Sequence, residues 1–374
     1  SPPTAEETKA FAYTNFGEAG TVVTDRTLED LEIRQITFSN GLRLNLKVTD
    51  FEKNSIRLRA QFGSGQLTQP KDKPGIREFA SMVVNGGGLG AHSNDELQRI
   101  LAGRTVGTAF GIDEDYFFFG GRTTPEDLEL QLQLMAASFK DQGFREEAVR
   151  QFRKAVPQVV AELDHTLEGG FQHATALLRN DPRFLVPTGE QLLALEAADV
   201  KDWIGEALTS GYLEVSAVGD FDPDTFISLC AKTLGALPPR RSEKPAHAEA
   251  RVLTFPARPA AHDITFTSKI PRAAAAVMWK IPGTVGNITE IRRLNVLAQV
   301  LDDRMREKIR EELGASYSPF AAVRASEAFP DFGTFQAISL GKPEETEKLG
   351  KLIIEIAETL TQEGVNEDEF QRAH

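Results

Sequence analysis

RTTPEDLELQLQLMAASFKDQGFREEAVRQFR (residues 122–153) can be laid on LGKPEETEKLGKLIIEIAETLTQEGVNEDEFQR (340–372). Both stretches place Pro-Glu at a helix start, then an apolar helical periodicity, a Gly turn with a Gln, acidic residues, and a Phe beside Gln and Arg. A strand pair precedes each: VGTAFGI with YFFFGGR before the first, YSPFAAVRA with FGTFQAISL before the second. The offset, roughly 220 residues, is far longer than a solenoid period, so one α+β unit is used twice, as large lobes. The expected fold is α+β: two homologous lobes, each a mostly antiparallel sheet covered by helices. The second copy ends at His374, soon after Phe370, whereas the first runs on far beyond Phe152. The second lobe therefore reads as truncated and the chain as a fragment.

Working outward, residues 1–30 read as a polar lead-in, 31–236 as the first lobe, LPPRRSEKPAHAEA (237–250) as a linker, and 251–374 as the second lobe. ITFSNGLRLNLKV is a hairpin around Asn40-Gly41, a strong short-range signal, and SIRLRAQFGSG (55–65) is a third strand. Helical patterns follow at 74–86 and 95–103. Thr124-Pro125-Glu126-Asp127 has the capping residue, proline and acids of a helix start. The helical stretch 145–180 contains Pro157, expected to kink or interrupt it. A helix around DVKDWIGEAL, a strand YLEVSAVGD and a helix from Asp222 close the lobe. In the second lobe strands are expected near 251–255, 263–268 and 273–281, and Asn287 with Glu290 forms a capping box for a long helix.

Composition bounds the function more loosely. The chain has 374 residues, 41% hydrophobic and 26% charged, enough to bury substantial cores. Its net charge of −13 argues against a nucleic-acid grip, which needs concentrated Lys and Arg; an acidic surface suits basic peptides instead. The single cysteine, Cys230, lies in a helical pattern and reads as a small buried hydrophobe. No run reaches the length of a spanning helix, and SPPTAEETKA lacks a signal-peptide core.

LDDRMREKIREELGASY (301–317) is the stretch with the most chemistry in it. Leu294, Leu297, Leu301, Met305, Ile309 and Glu312 share one arc of a helix, and Arg310 sits on nearly the opposite side. Gly314 stops the helix, and the chain turns into a strand that carries Tyr317 close to the guanidinium. From spacing alone, Arg310 among acids is a solvated helix face.

Other candidates are weaker. His92, His165, His173, His247, His262 and His374 include no pair with zinc-peptidase spacing. Glu162 with His165, one helical turn apart, and His173 make the best remaining metal set. NGGGLG (85–90) lacks the Lys-Ser/Thr of a phosphate loop and reads as a flexible loop. Asp302-Asp303 and Glu311-Glu312 read as solvated carboxylates on a charged helix.

REELGASYS (310–318) resembles the Arg…Gly…Tyr signature of the insulinase-like (pitrilysin and processing-peptidase) zinc metallopeptidases. TFSNGLRLNLKVTDF, KPGIREFASMVVNGGG, SAVGDFDPDTF and the doubled lobe extend the similarity over most of the chain. The resemblance implies the LuxS/peptidase-like metalloenzyme fold, with two homologous halves closing like a clamshell around a peptide. The active half of such enzymes carries His-x-x-Glu-His on the helix after Pro-Gly, and a third ligand Glu one long helix later. Here the ligand positions hold Glu78 and Met82, the base position Ser81, and Glu162 aligns with the third ligand. The imidazoles and the carboxylate base of a zinc-water site are missing.

What the resemblance implies is a non-catalytic C-terminal half, inactive alone, binding no cofactor itself. Zinc is expected on the partner, either an N-terminal catalytic half or a separate catalytic subunit. Tyr317 would donate a hydrogen bond to the scissile oxygen as it becomes an oxyanion, and Arg310 would hold substrate backbone carbonyls. Partners would be that half and a peptide, with no nucleic acid and no membrane span; a periplasmic or envelope location follows from resemblance alone. The alternative is a non-hydrolytic peptide-binding or structural homologue, and a further reading is an independent hydrolase using Glu162 and His165.

Overall fold

The computed structural model describes residues 9–256, 260–314 and 318–373. They divide into two compact units: residues 1–156 with 187–246, and residues 157–186 with 247–374.

The first unit is built on strands β1 (Val22–Leu28), β2 (Ile33–Phe38), β3 (Arg43–Val48), β4 (Ile56–Phe62), β5 (Ala109–Ile112), β6 (Phe117–Thr123) and β7 (Leu213–Gly219). They form one sheet in the order β1-β2-β3-β7-β4-β6-β5, antiparallel except where β7 lies parallel to β3. Helices α1 (Ile76–Gly87), α2 (Asn94–Ile100) and α3 (Leu128–Lys140) belong to this unit. Helix α4 (Glu146–His165) contains the division, at Pro157, and α5 (Leu167–Arg179) belongs to the second unit. The chain returns to the first unit with α6 (Gly189–Leu193), α7 (Ala197–Thr209) and α8 (Pro223–Lys232).

Strict alternation along β4, β6 and β7 sends Ile56, Leu58, Ala60, Phe62, Phe117, Phe119, Leu213, Val215 and Ala217 inward, each at most 3% exposed. Phe62 and Phe119 meet Phe139 of α3 edge-on at 4.9 and 5.2 Å, and Phe117 meets Trp203 of α7 at 5.3 Å. These large rings join sheet to helices and dominate the apolar area removed from water. Cys230 of α8 is fully buried, and burial pushes its thiol well above the ordinary range.

Four local expectations are corrected here. Val22–Leu28, inside the presumed lead-in, is a strand paired with β2. The presumed linker begins with a fixed segment: Arg240, 8% exposed, donates to Leu208 O at 2.6 Å and Gly211 O at 3.3 Å, capping the carbonyl end of α7. Thr124–Asp127 is a turn that precedes α3, because the Asp127 carboxylate is occupied by Arg104 Nε at 2.5 Å and Thr105 N at 2.6 Å. Helix α4 continues through Pro157, whose missing N–H forfeits one intrahelical bond, and ends instead where Thr166 caps α5 by accepting from Gly169 N.

The second unit holds β8 (Ala273–Ile281), α9 (Ile288–Leu313), β9 (Ser318–Ala325), β10 (Gly333–Gly341), α10 (Thr346–Glu363) and α11 (Glu367–Ala373). Its sheet order, β8-β10-β9, reproduces β4-β6-β5 of the first unit, so the duplication read from sequence is a duplication of topology. Leu301, Met305 and Ile309 of α9 and Leu349, Ile353 and Leu360 of α10 fill the core against Phe335 and Ala337 of β10. Glu312 is exposed and drops out of the buried arc.

No strand forms among described residues 251–256 or 260–268. Leu253 is buried and Phe255 stacks on Phe332 at 4.8 Å, so the apolar alternation there serves packing. The Asn287 amide donates back to Gly283 O and Val285 O, which turns it away from the helix and leaves the capping box unmade.

Candidate functional site

Helix α1 begins at Gly75, held at φ +81°, where an added Cβ would meet Leu192 at 2.4 Å. Ile76, Phe79, Ala80, Val83 and Val84 face the core. The opposite stripe, Arg77, Glu78, Ser81, Met82, Asn85 and Gly86, lines an open depression of about 710 Å³. The positions singled out by resemblance thus share one accessible face. Glu78 is exposed, Ser81 Oγ donates to Arg77 O at 3.0 Å, and Met82 is half-buried.

A carboxylate, a hydroxyl engaged with its own helix and a thioether do not fit a catalytic zinc site, which needs imidazole or carboxylate ligands and a base for the water. Glu162 is exposed on α4 in the second unit and accepts from Gln158 Nε2 at 3.1 Å. Among the described residues no three His, Cys, Asp or Glu side chains gather where they could hold a metal ion, and that includes Glu162, His165 and His173.

The NGGGLG run, expected to be a flexible loop, is the last turn of α1 and its cap. Gln142 Nε2 donates to Val84 O at 2.8 Å and Gly88 O at 3.0 Å, and Gly143 N donates to Gly88 O. Asn85 does more. Its Nδ2 donates to Phe110 O at 2.9 Å while Phe110 N donates to its Oδ1 at 2.8 Å. Phe110 lies in β5, the edge strand, so one side chain occupies the outward backbone pair of that edge. The second unit repeats the device: Ala321 N of its edge strand β9 donates to Asp302 Oδ1 of α9 at 3.0 Å. Asp302 is 4% exposed, against the expectation of a solvated carboxylate, and Arg306 also reaches it at 2.5 Å.

Arg310 is exposed in the last turn of α9, and its carbonyl accepts from Gly314 N where the helix stops. The cations on the preceding turns have carboxylate partners: Arg304 with Glu369, Arg306 with Asp302, Lys308 with Glu312. Among the described residues Arg310 has none. Tyr317 lies outside the described residues.

The family model described as the peptidase M16 inactive domain matches residues 194–374. Over those residues, just under half of its length, this chain is similar to the insulinase-like (M16) peptidases. It is 24% identical over 269 residues to the chloroplastic stromal processing peptidase of Oryza sativa, covering 70% of this chain and 22% of that one. The periplasmic protease PqqL of Escherichia coli is similar in fold, with a TM-score of 0.81 at 20% identity over 98% of this chain and 40% of PqqL. A peptidase M16 inactive domain from Pseudomonas fluorescens gives 0.73 at 15% identity, covering 92% and 82%. The chain spans well under half the length of the stromal peptidase and of PqqL. Among the described residues no helix is long and apolar enough to cross a membrane.

The similarity gives no reason to single out Asn85 or Asp302. Neither residue type is unusual on a helix, and their partners are 25 and 19 residues away in sequence.

Proposed function

We propose that this chain is the substrate-binding, zinc-less half of an insulinase-like metallopeptidase, completing an active site whose zinc lies on another half. The observation that carries it is Arg310: exposed, fixed by the end of α9, and without a carboxylate partner among the described residues while its neighbours along the helix are paired. A guanidinium kept free of internal acids is available to peptide carbonyls. The α1 face supports the same division of labour, since Glu78, Ser81 and Met82 offer no zinc chemistry. Tyr317, three residues beyond Gly314, supplies the phenol that donates to the developing oxyanion. The periplasm, where PqqL of E. coli is described, is the compartment proposed for the assembled enzyme.

The test is reconstitution with the catalytic half and hydrolysis of a fluorogenic peptide. Tyr317→Phe lowers kcat by about 100-fold, the cost of one oxyanion donor, with KM little changed. Arg310→Ala raises KM. Hydrolysis untouched by either change rejects the reading. An assembly that binds peptide and never cleaves it selects the alternative, a non-hydrolytic peptide-binding homologue.

A further inference from the structure

The outer face of the first unit's sheet has the opposite charge to the chain as a whole. Net charge is −13. Yet the outward strand residues include Arg43 and Lys47 of β3, Arg57 and Arg59 of β4 and Arg122 of β6, with Glu214 of β7 as the strand carboxylate among them. Glu214 is already engaged, accepting from Tyr212 Oη at 2.6 Å and Asn45 Nδ2 at 2.5 Å. Burial, and after it that carboxylate, push the Tyr212 phenol up to about 12, so it stays a neutral donor.

Strand register sets the cations in line. Lys47 pairs with Val218, Val218 with Arg57, and Arg57 with Arg122, one cross-strand row with steps of about 4.8 Å. Directly opposed like charges destabilise a sheet. Here Arg57 and Arg122 face each other and share one rim carboxylate, Glu52. In the next row the Arg59 guanidinium stacks 4.0 Å from the Phe118 ring and 5.2 Å from Tyr116, with Asp113 no nearer than 4.0 Å. Stacking fixes the fork and leaves its edge for a carboxylate. Beside the row, Gly120 leaves backbone bare at an open groove of about 560 Å³ flanked by Arg104 and Arg122.

We infer that this face docks an acidic segment of a polypeptide, its Asp and Glu carboxylates meeting Arg57, Arg59 and Arg122. The inference deepens the peptide-handling role proposed above and rests on it. With the β5 and β9 edges occupied by Asn85 and Asp302, added-strand capture is disfavoured there and a face becomes the available surface. Screening limits the field to about 10 Å, so a short acidic segment feels the local arginines. A nucleic acid, a longer polyanion, meets the surrounding negative charge.

The experiment is fluorescence anisotropy on the full chain with a labelled Asp/Glu-rich peptide, a Lys/Arg-rich peptide of equal length and a single-stranded DNA of similar charge. The acidic peptide binds tightest, and its affinity falls with added salt. R57Q/R122Q weakens it about tenfold, as the loss of two carboxylate contacts predicts, and R59K weakens it less. K348Q/K351Q on exposed α10 leaves it unchanged. Thermal midpoints verify folding; relief of the Arg57–Arg122 repulsion keeps that of R57Q/R122Q at or above wild type. Equal binding of acidic and basic peptides, undiminished binding by R57Q/R122Q, or DNA bound as tightly as the acidic peptide overturns the inference. Because binding is read without hydrolysis, such a result with Arg310→Ala still impairing the reconstituted enzyme sinks this inference alone.

Discussion

Asn85 and Phe110 exchange two hydrogen bonds, side chain to backbone in both directions, at 2.9 and 2.8 Å. An amide on a helix thereby stands in for a neighbouring strand at a sheet edge. Asp302 does half of the same for Ala321 in the second unit. Exposed edges invite pairing with other chains, and each lobe covers part of its edge from the adjacent helix.

Asn85→Ala removes both bonds and leaves the Phe110 amide and carbonyl to water. The expected cost is about 1–2 kcal/mol of stability, from denaturant midpoints at constant slope. Hydrogen exchange sharpens the test: the Phe110 amide loses protection while Phe119 and Ala60, inside the ladder, keep theirs. Uniform loss across the sheet would mean that Asn85 acts on global packing instead.

Asp302→Ala leaves Ala321 N without its acceptor and Arg306 without its partner, costing about 2–3 kcal/mol because the carboxylate is buried and charged. Asp302→Asn keeps an acceptor and recovers much of the loss. Asp303→Ala, one residue on, is nearly neutral.

Glu78, Ser81 and Met82 share one open face of α1 and carry the wrong side chains for a zinc-water site. Installing E78H, S81E and M82H together places two imidazoles one turn apart over the open depression, and about one zinc per chain should then bind. Calorimetric titration after metal stripping decides it; a silent triple variant would show that the backbone, and not residue identity, has diverged.

Acid should release α11. Arg304 Nε and Nη2 hydrogen-bond Glu369 at 2.7 and 2.9 Å and hold its carboxyl at about 2, below its ordinary value of 4.5. A depressed carboxyl stabilises the fold fully above the ordinary value and loses that contribution as pH falls through the folded one. Helix content should therefore drop in a step between about 4.5 and about 2 that E369Q abolishes.

Much of the fold was legible because it rests on local signals. Alternation in β4, β6 and β7 and the Asn40-Gly41 turn each report through neighbours in sequence. The misreadings share a cause as well. Asp127, Asn287 and Asp302 were judged by their place on a helix, but partners elsewhere decided their roles: Arg104 and Thr105, the turn before α9, and the β9 backbone. Polar side chains carry no periodicity that names a distant partner. Net charge hid the cationic row, since an average over the chain says nothing about which strands are adjacent.

The place of β7 in the sheet has a consequence for synthesis. It lies between β3 and β4, so the two groups of strands made first, β1 to β3 and β4 to β6, are joined in the sheet through a strand that begins only at Leu213. Until a ribosome has delivered that late segment, the early hairpins have no shared floor, and a nascent chain stopped short of it holds two orphaned half-sheets that cellular chaperones would have to shield.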